Sequence, residues 1–207
     1  MEKSVITGLP PRPSDFVRIE ADALDSLASR LDEAMRAPFE KAVALLSGTV
    51  LAGQRITLTG IGKSGIIARK ITAILCSTCS PAHFMHPAEA VHGEAGMLAP
   101  SGVVVAFSYS GTTKEIVQLL PLFKRFGMKL ITFSGSATSP LSQASDVFLD
   151  CSVEKEACMY NLSPTASTSV MLALGDALAL AVSLACDRKA EDFENLHRIG
   201  SGTDGCS

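Results

Sequence analysis

The chain has 207 residues, 47% hydrophobic and 19% charged, enough to bury a full core and too apolar for a disordered chain. Its 18 Lys plus Arg stand against 21 Asp plus Glu, a net charge of -3, which offers no broad basic field and argues against nucleic acid as a partner. Six cysteines (Cys76, Cys79, Cys151, Cys158, Cys186, Cys206) in a chain of this size read as free thiols of a reducing compartment rather than a disulfide scaffold.

The first residues, Met1 to Ser4, run into Gly8-Leu9-Pro10-Pro11-Arg12-Pro13 without the apolar core and cleavage site of a secretory signal. Residues 1–13 therefore read as an N-terminal arm, 14–199 as one domain and 200–207 as a polar, glycine-rich, frayed tail, in a cytoplasmic protein. Helical spacing of Phe16, Ile19, Ala23, Leu24, Leu27 and Leu31 predicts a helix over 14–31, and a second follows over 38–46. The chain then alternates. Strands are expected at 56–59, 82–85, 102–107, 129–133 and 147–149, with helices at 64–75, 113–126 and near Leu141. A long helix over 165–186 and a short one over 192–197 close the domain. Short apolar strands separated by helices imply an α/β fold: a three-layer sandwich whose five-stranded parallel sheet is flanked by helices. The 165–186 segment is long enough for a membrane span, but Asp176 and several hydroxyl residues fit a core or subunit-interface helix better, so no membrane is expected.

Gly60-Ile61-Gly62-Lys63-Ser64-Gly65 follows the first strand and opens a helix, where free N–H groups and the helix dipole favour an anion. It matches the dinucleotide fingerprint in form, yet the next strand ends in Met85-His86-Pro87 without the acidic residue that would hold a ribose. A nucleotide P-loop fails as well, because the glycine required five positions before Gly62 is Thr57. What remains is a tight turn with a cation, Lys63, suited to a small phosphorylated or polyol ligand and calling for no cofactor. Ser108-Tyr109-Ser110-Gly111-Thr112-Thr113 forms a second such turn after the third strand, with hydroxyls and N–H groups converging as in a phosphate cradle. His86 and His92 stand six residues apart, which does not make an i, i+4 metal pair, so no metal is assigned. Cys76-Ser77-Thr78-Cys79 ends a helix instead of joining a strand to one, unlike a redox motif.

With these turns in view, the chain resembles the arabinose-5-phosphate isomerase family of SIS domains, which are flavodoxin-like α/β folds. The likeness runs from about residue 16 to 197. It rests on Gly-Ile-Gly-Lys-Ser-Gly at 60–65, His-Pro-Ala-Glu-Ala-Val-His-Gly-Glu at 86–94, Ser-Gly-Thr-Thr-Lys-Glu at 110–115, Glu-Lys-Glu-Ala-Cys at 154–158 and the segment 163–178. The resemblance implies a homotetramer with sites shared between subunits, interconverting ribulose 5-phosphate and arabinose 5-phosphate without a redox cofactor. It implies catalytic roles for Lys63, Glu115, Glu156 and His197, and phosphate binding by the hydroxyl loop. The substrate-binding set is then Gly62, Ser64, His86, His92, Ser108, Ser110, Gly111, Thr112, Thr113, Ser167 and Thr168. Moving a carbonyl between C1 and C2 needs a base for a carbon-bound proton, a shuttle for the hydroxyl proton and a donor to steady the enediolate. Glu156 or His197 suits the first task, Glu115 the second and Lys63 the third.

The chain departs from the family pattern in three places. It has His197-Arg198-Ile199-Gly200 for His-Pro-Gly-Gly, Glu94-Ala95 for Asp-Leu, and Met159-Tyr160-Asn161-Leu162 for Pro-Leu-Gly-Leu. Longer relatives continue into a CBS pair, a nucleotide-sensing module not expected here. Another sugar-phosphate isomerase of the phosphohexulose type, or a non-catalytic sugar-phosphate sensor or partner subunit, remains as the alternative function.

Overall fold

Five apolar segments pair as strands: β1 Ile56–Gly60, β2 Ala82–Met85, β3 Val103–Phe107, β4 Lys129–Ser134 and β5 Val147–Asp150. In the computed structural model, which describes residues 12–189 together with 191, 192 and 194, they form one parallel sheet in the order β2-β1-β3-β4-β5. All five residues of β1 and all five of β3 are buried. Successive side chains of β3 alternate between two cores: Val103, Val105 and Phe107 face one, Val104 and Ala106 the other. A central parallel strand covered on both faces has no wet side, which is why its sequence is a continuous apolar run.

One layer holds α1 Pro13–Asp32, α2 Arg36–Leu51, α3 Gly62–Ser77 and α8 Ala166–Ala185. The other holds α4 Pro87–Ala90, α5 Lys114–Val117, α6 Leu120–Arg125 and α7 Pro140–Ala144, with a 3-10 turn at Glu94–Met97 between α4 and β3. In the larger core Phe107 stacks on Phe133 with ring centroids 4.4 Å apart, an arrangement worth about 1 kcal/mol beyond its area. The helix α8 is long and apolar enough to cross a membrane, but it packs on α1, α2 and α3, and its Asp176 pairs with Lys70 of α3. Gly175 allows that packing, since a Cβ there would stand 2.6 Å from Ile71. The reading of this segment as a core helix is met by that packing.

Two helices differ from expectation. The helix expected over 113–126 is two short ones, because Pro121 in the first turn of α6 has no N–H to offer the carbonyl one turn back. The second helix extends well past 46, to Leu51, as its later turns bury Ser47, Thr49 and Val50. The short helix expected over 192–197, the 1–11 part of the arm and the tail at 200–207 lie outside the described residues.

Candidate active site

The fold places its most chemically suggestive loops at a topological switch. β1 feeds α3 in one layer and β3 feeds α5 in the other, so the two connections diverge above a crevice at the carboxyl ends of neighbouring strands. Gly60 and Phe107, the last residues of β1 and β3, are partners in the sheet register. The loops at 60–65 and 108–113 therefore leave the sheet side by side.

The first loop is shaped by close backbone approach. A Cβ on Gly65 would lie 2.7 Å from the Gly60 carbonyl oxygen, and one on Gly60 would lie 3.1 Å from the Gly65 backbone. Gly62 turns the chain into α3 with φ +59, in the left-handed region open to glycine. The residue before the helix, Ile61, supplies no side-chain cap, so the first-turn N–H groups of this 16-residue helix and its positive dipole end face the crevice. Lys63 is exposed and makes no ion pair among the described residues. It lines a cleft with Ile66, Ile67, Thr168, Ser169 and Leu172, which brings Lys63 and Thr168 together as expected site residues. Ser64 follows Lys63 in the first turn, half-buried.

The second loop is shaped by hydroxyls. Ser108 is buried and its Oγ lies 2.7 Å from Thr113 Oγ1, so both are committed to closing the loop. Ser110 and Thr112 are exposed; Ser110 Oγ accepts from the Thr112 N–H (3.2 Å) and hydroxyl (3.0 Å). Gly111 has φ +64, and a Cβ there would stand 1.9 Å from Ser139 Oγ. The loop after β4 thus locks against it, with Leu141 N–H donating to the Gly111 carbonyl. α5 is a single turn with little dipole of its own, so the capacity of this loop rests on hydroxyl and turn N–H groups.

Glu156 belongs to the segment after β5, and its carboxylate caps α8 from outside the helix. Oε2 accepts from the backbone N–H groups of Thr165 (2.8 Å) and Ser167 (3.1 Å) and from the Thr165 hydroxyl (3.0 Å). Burial raises its pKa, but the neighbouring Ser167 hydroxyl, the two N–H groups and the Thr165 hydroxyl together hold it below the ordinary carboxylate range. The Ser167 hydroxyl itself is buried without a well-oriented hydrogen bond among the described residues. Asn161 supports the same residue from the other side: its Oδ1 accepts from the Glu156 N–H at 2.7 Å. Asn161 also has φ +52. It stands where the family pattern has glycine, and asparagine tolerates that conformation, so the departure keeps the turn.

The remaining expected site residues are dispersed. Glu115 is exposed in the first turn of α5 and makes no hydrogen bond or ion pair among the described residues. His86 precedes α4; its N–H donates to Glu94 Oε2 (3.2 Å), its ring packs edge-on to Phe84, and its Nδ1 is shielded with no partner among the described residues. His92 is exposed on the turn after α4. His197 lies outside the described residues. No group of three His, Cys, Asp or Glu side chains is arranged to hold a metal ion among the described residues. Sequence reasoning missed Thr165 and Ser139, which hold the site, and Asn161, which both holds and lines it; Thr165 directly before an apolar helix was the available signal, although its hydroxyl turns to Glu156 and the Ala157 N–H instead of capping the helix.

Residues 52–181 match the model of the SIS domain. The chain is 50% identical over 186 residues to Arabinose 5-phosphate isomerase KdsD of Pseudomonas aeruginosa, covering 89% of this chain and 55% of that one. It is 42% identical over 174 residues to Arabinose 5-phosphate isomerase GutQ of Escherichia coli K12, covering 84% of this chain and 53% of the relative. The chain thus spans about half the length of the curated relatives it matches. Among solved structures, E. coli CFT073 c3406 in complex with arabinose 5-phosphate superposes with a TM-score of 0.80 at 36% identity, covering 89% of this chain and 94% of that one. The sheet order, the two loops at its switch point and these matches together establish that the chain belongs to the SIS-domain family.

Proposed function

We propose that this chain is an aldose–ketose isomerase that interconverts D-ribulose 5-phosphate and D-arabinose 5-phosphate through an enediolate. The observation that carries the reading is the Gly60–Phe107 register, which sets a cationic helix start beside a hydroxyl loop at one sheet edge. The isomerase names of the curated relatives and the arabinose 5-phosphate held by the c3406 structure support the choice of sugar.

In this mechanism the exposed hydroxyls and N–H groups of 110–113 take the phosphate ester together with the start of α3. A base removes a proton from C2 of the aldose or C1 of the ketose, exchanges it with solvent and delivers a proton to the other carbon, while a second group moves the hydroxyl proton between the two oxygens. Of the two groups proposed as carbon base, Glu156 is the weaker because three hydrogen bonds stabilise its ionised form, so the role falls to His197. Glu156 then orients the N-terminus of α8, with Ser167 and Thr168, toward the ligand. Glu115, exposed and uncommitted, serves the hydroxyl proton, and Lys63 steadies the enediolate charge. His86 and His92 reach the ligand from the turn after β2. No redox cofactor takes part, since the electrons stay within the sugar. The working unit is a homotetramer in the cytoplasm, with sites completed between subunits, built on the domain at 14–199.

Incubating the purified protein with ribulose 5-phosphate and following arabinose 5-phosphate by NMR tests the reading. Conversion supports it; tight binding without conversion favours a sugar-phosphate sensor and overturns it.

A further inference from the structure

Tyr109 lies within the hydroxyl loop, between Ser108 and Ser110, and its place is fixed by the loop after β4. Its carbonyl accepts from the Gly135 N–H (2.8 Å) and from Ser134 Oγ (3.0 Å). Its ring lies so close on Gly135 that a Cβ there would stand 2.8 Å from ring carbons. The ring is thereby directed to the segment after β5, where its Oη accepts a long hydrogen bond from the Val153 N–H (3.4 Å). It lines a polar cleft with Glu154, Lys155, Glu156 and Asn161.

A phenol that accepts from an N–H still has its own proton to give. Among the described residues nothing accepts it. Burial raises the tyrosine pKa above its ordinary value; the Val153 N–H opposes this, and the negative charges of Glu156 and Asp150 add to it. The hydroxyl is therefore a neutral, protonated donor near pH 7. Sugar hydroxyls and carbonyls are uncharged groups that need both donors and acceptors, and this cleft offers Tyr109 and Lys155 as donors with Glu154 and Glu156 as acceptors.

We infer that the Tyr109 hydroxyl donates a hydrogen bond to an oxygen of the bound sugar chain, which makes it a substrate-binding residue joining the phosphate loop to the Glu156 segment. This rests on the isomerase reading above. It also gives the residue between the two loop serines a task distinct from phosphate binding: it reads the sugar.

Calorimetry with two probes, arabinose 5-phosphate and inorganic phosphate, tests the inference on wild type, Tyr109→Phe and Tyr109→Ala. Tyr109→Phe keeps the ring on Gly135 and loses only the hydroxyl. It is expected to weaken arabinose 5-phosphate about 5- to 10-fold while leaving inorganic phosphate unchanged. Tyr109→Ala, which frees the loop, is expected to weaken both. Wild-type affinity for arabinose 5-phosphate in Tyr109→Phe overturns the assignment, and so does an equal loss for both probes, which marks the hydroxyl as structural. Wild-type protein that binds inorganic phosphate but not arabinose 5-phosphate overturns the isomerase reading itself and the Tyr109 role with it.

Discussion

The turn at 60–65 owes its form to missing side chains: Gly60 and Gly65 touch backbone to backbone, Gly62 bends the chain into a long helix, and Lys63 stands in solvent. The loop at 108–113 owes its form to side chains that are present. Ser108 closes on Thr113, Ser110 on Thr112, and Gly111 is locked by Ser139 from the next loop. The two neighbouring loops proposed to hold the phosphate are thus built by different physical means. One is a helix dipole with a movable cation; the other is a rigid hydroxyl network. The difference teaches where function and stability separate. Changes in the first loop's cation should reach chemistry and spare the fold, whereas changes in the second loop's lock should reach the fold first.

The largest expected effect is at that lock. Gly111→Ala places a Cβ in a left-handed backbone and against Ser139, and is expected to cost about 3–4 kcal/mol in urea unfolding. Adding Ser139→Ala should recover part of the loss, because the 1.9 Å contact with Oγ is removed while the Ser139 Cβ at 2.4 Å, the Ser134 Oγ at 2.9 Å and the backbone strain remain. Equal stability of the single and double variants would break the claim that the two loops interlock. Next comes Lys63→Ala, expected to lower turnover about 10²- to 10³-fold with stability within about 0.5 kcal/mol of wild type. A large drop in stability there would erase the contrast between the loops.

The smallest effect concerns the segment after β5, which meets Tyr109 of the second loop. Glu156→Gln is expected to cost about 1 kcal/mol at neutral pH, the size of a lost helix cap. Its folded pKa is depressed, so its stabilisation is full above the ordinary carboxylate pKa and is lost as pH falls through the folded value. The gap between wild type and Glu156→Gln should therefore close as pH falls below about 4.3. Urea midpoints that stay parallel down to acid pH would show that the carboxylate does not cap α8.

Much of the frame was legible because each strand's environment writes itself locally. The apolar run at 102–107 fitted a doubly covered strand, and 82–85 was bounded by turn residues on both sides. The break at Pro121 was legible in principle, since the residue cannot continue a hydrogen-bond ladder, but the apolar period runs through it and hides the interruption. The short helix at Pro87–Ala90 had no signal in the sequence, because four residues carry no period. At the site, the glycine turn and the hydroxyl loop announced themselves through composition. The role of Glu156 as a cap did not, because its partners Thr165 and Ser167 are nine and eleven residues away across an irregular segment. The Gly111–Ser139 lock and the Tyr109–Val153 contact join the ends of different strands, and such pairings follow only from strand order.

The proposed proton transfer at the junction of the two loops is tested by incubating the protein in D2O with ribulose 5-phosphate and reading the products by NMR. The expected result is arabinose 5-phosphate carrying solvent deuterium at C2, with the signal lost in Lys63→Ala. Ribulose 5-phosphate recovered unchanged and unlabelled from folded wild-type protein would contradict the account.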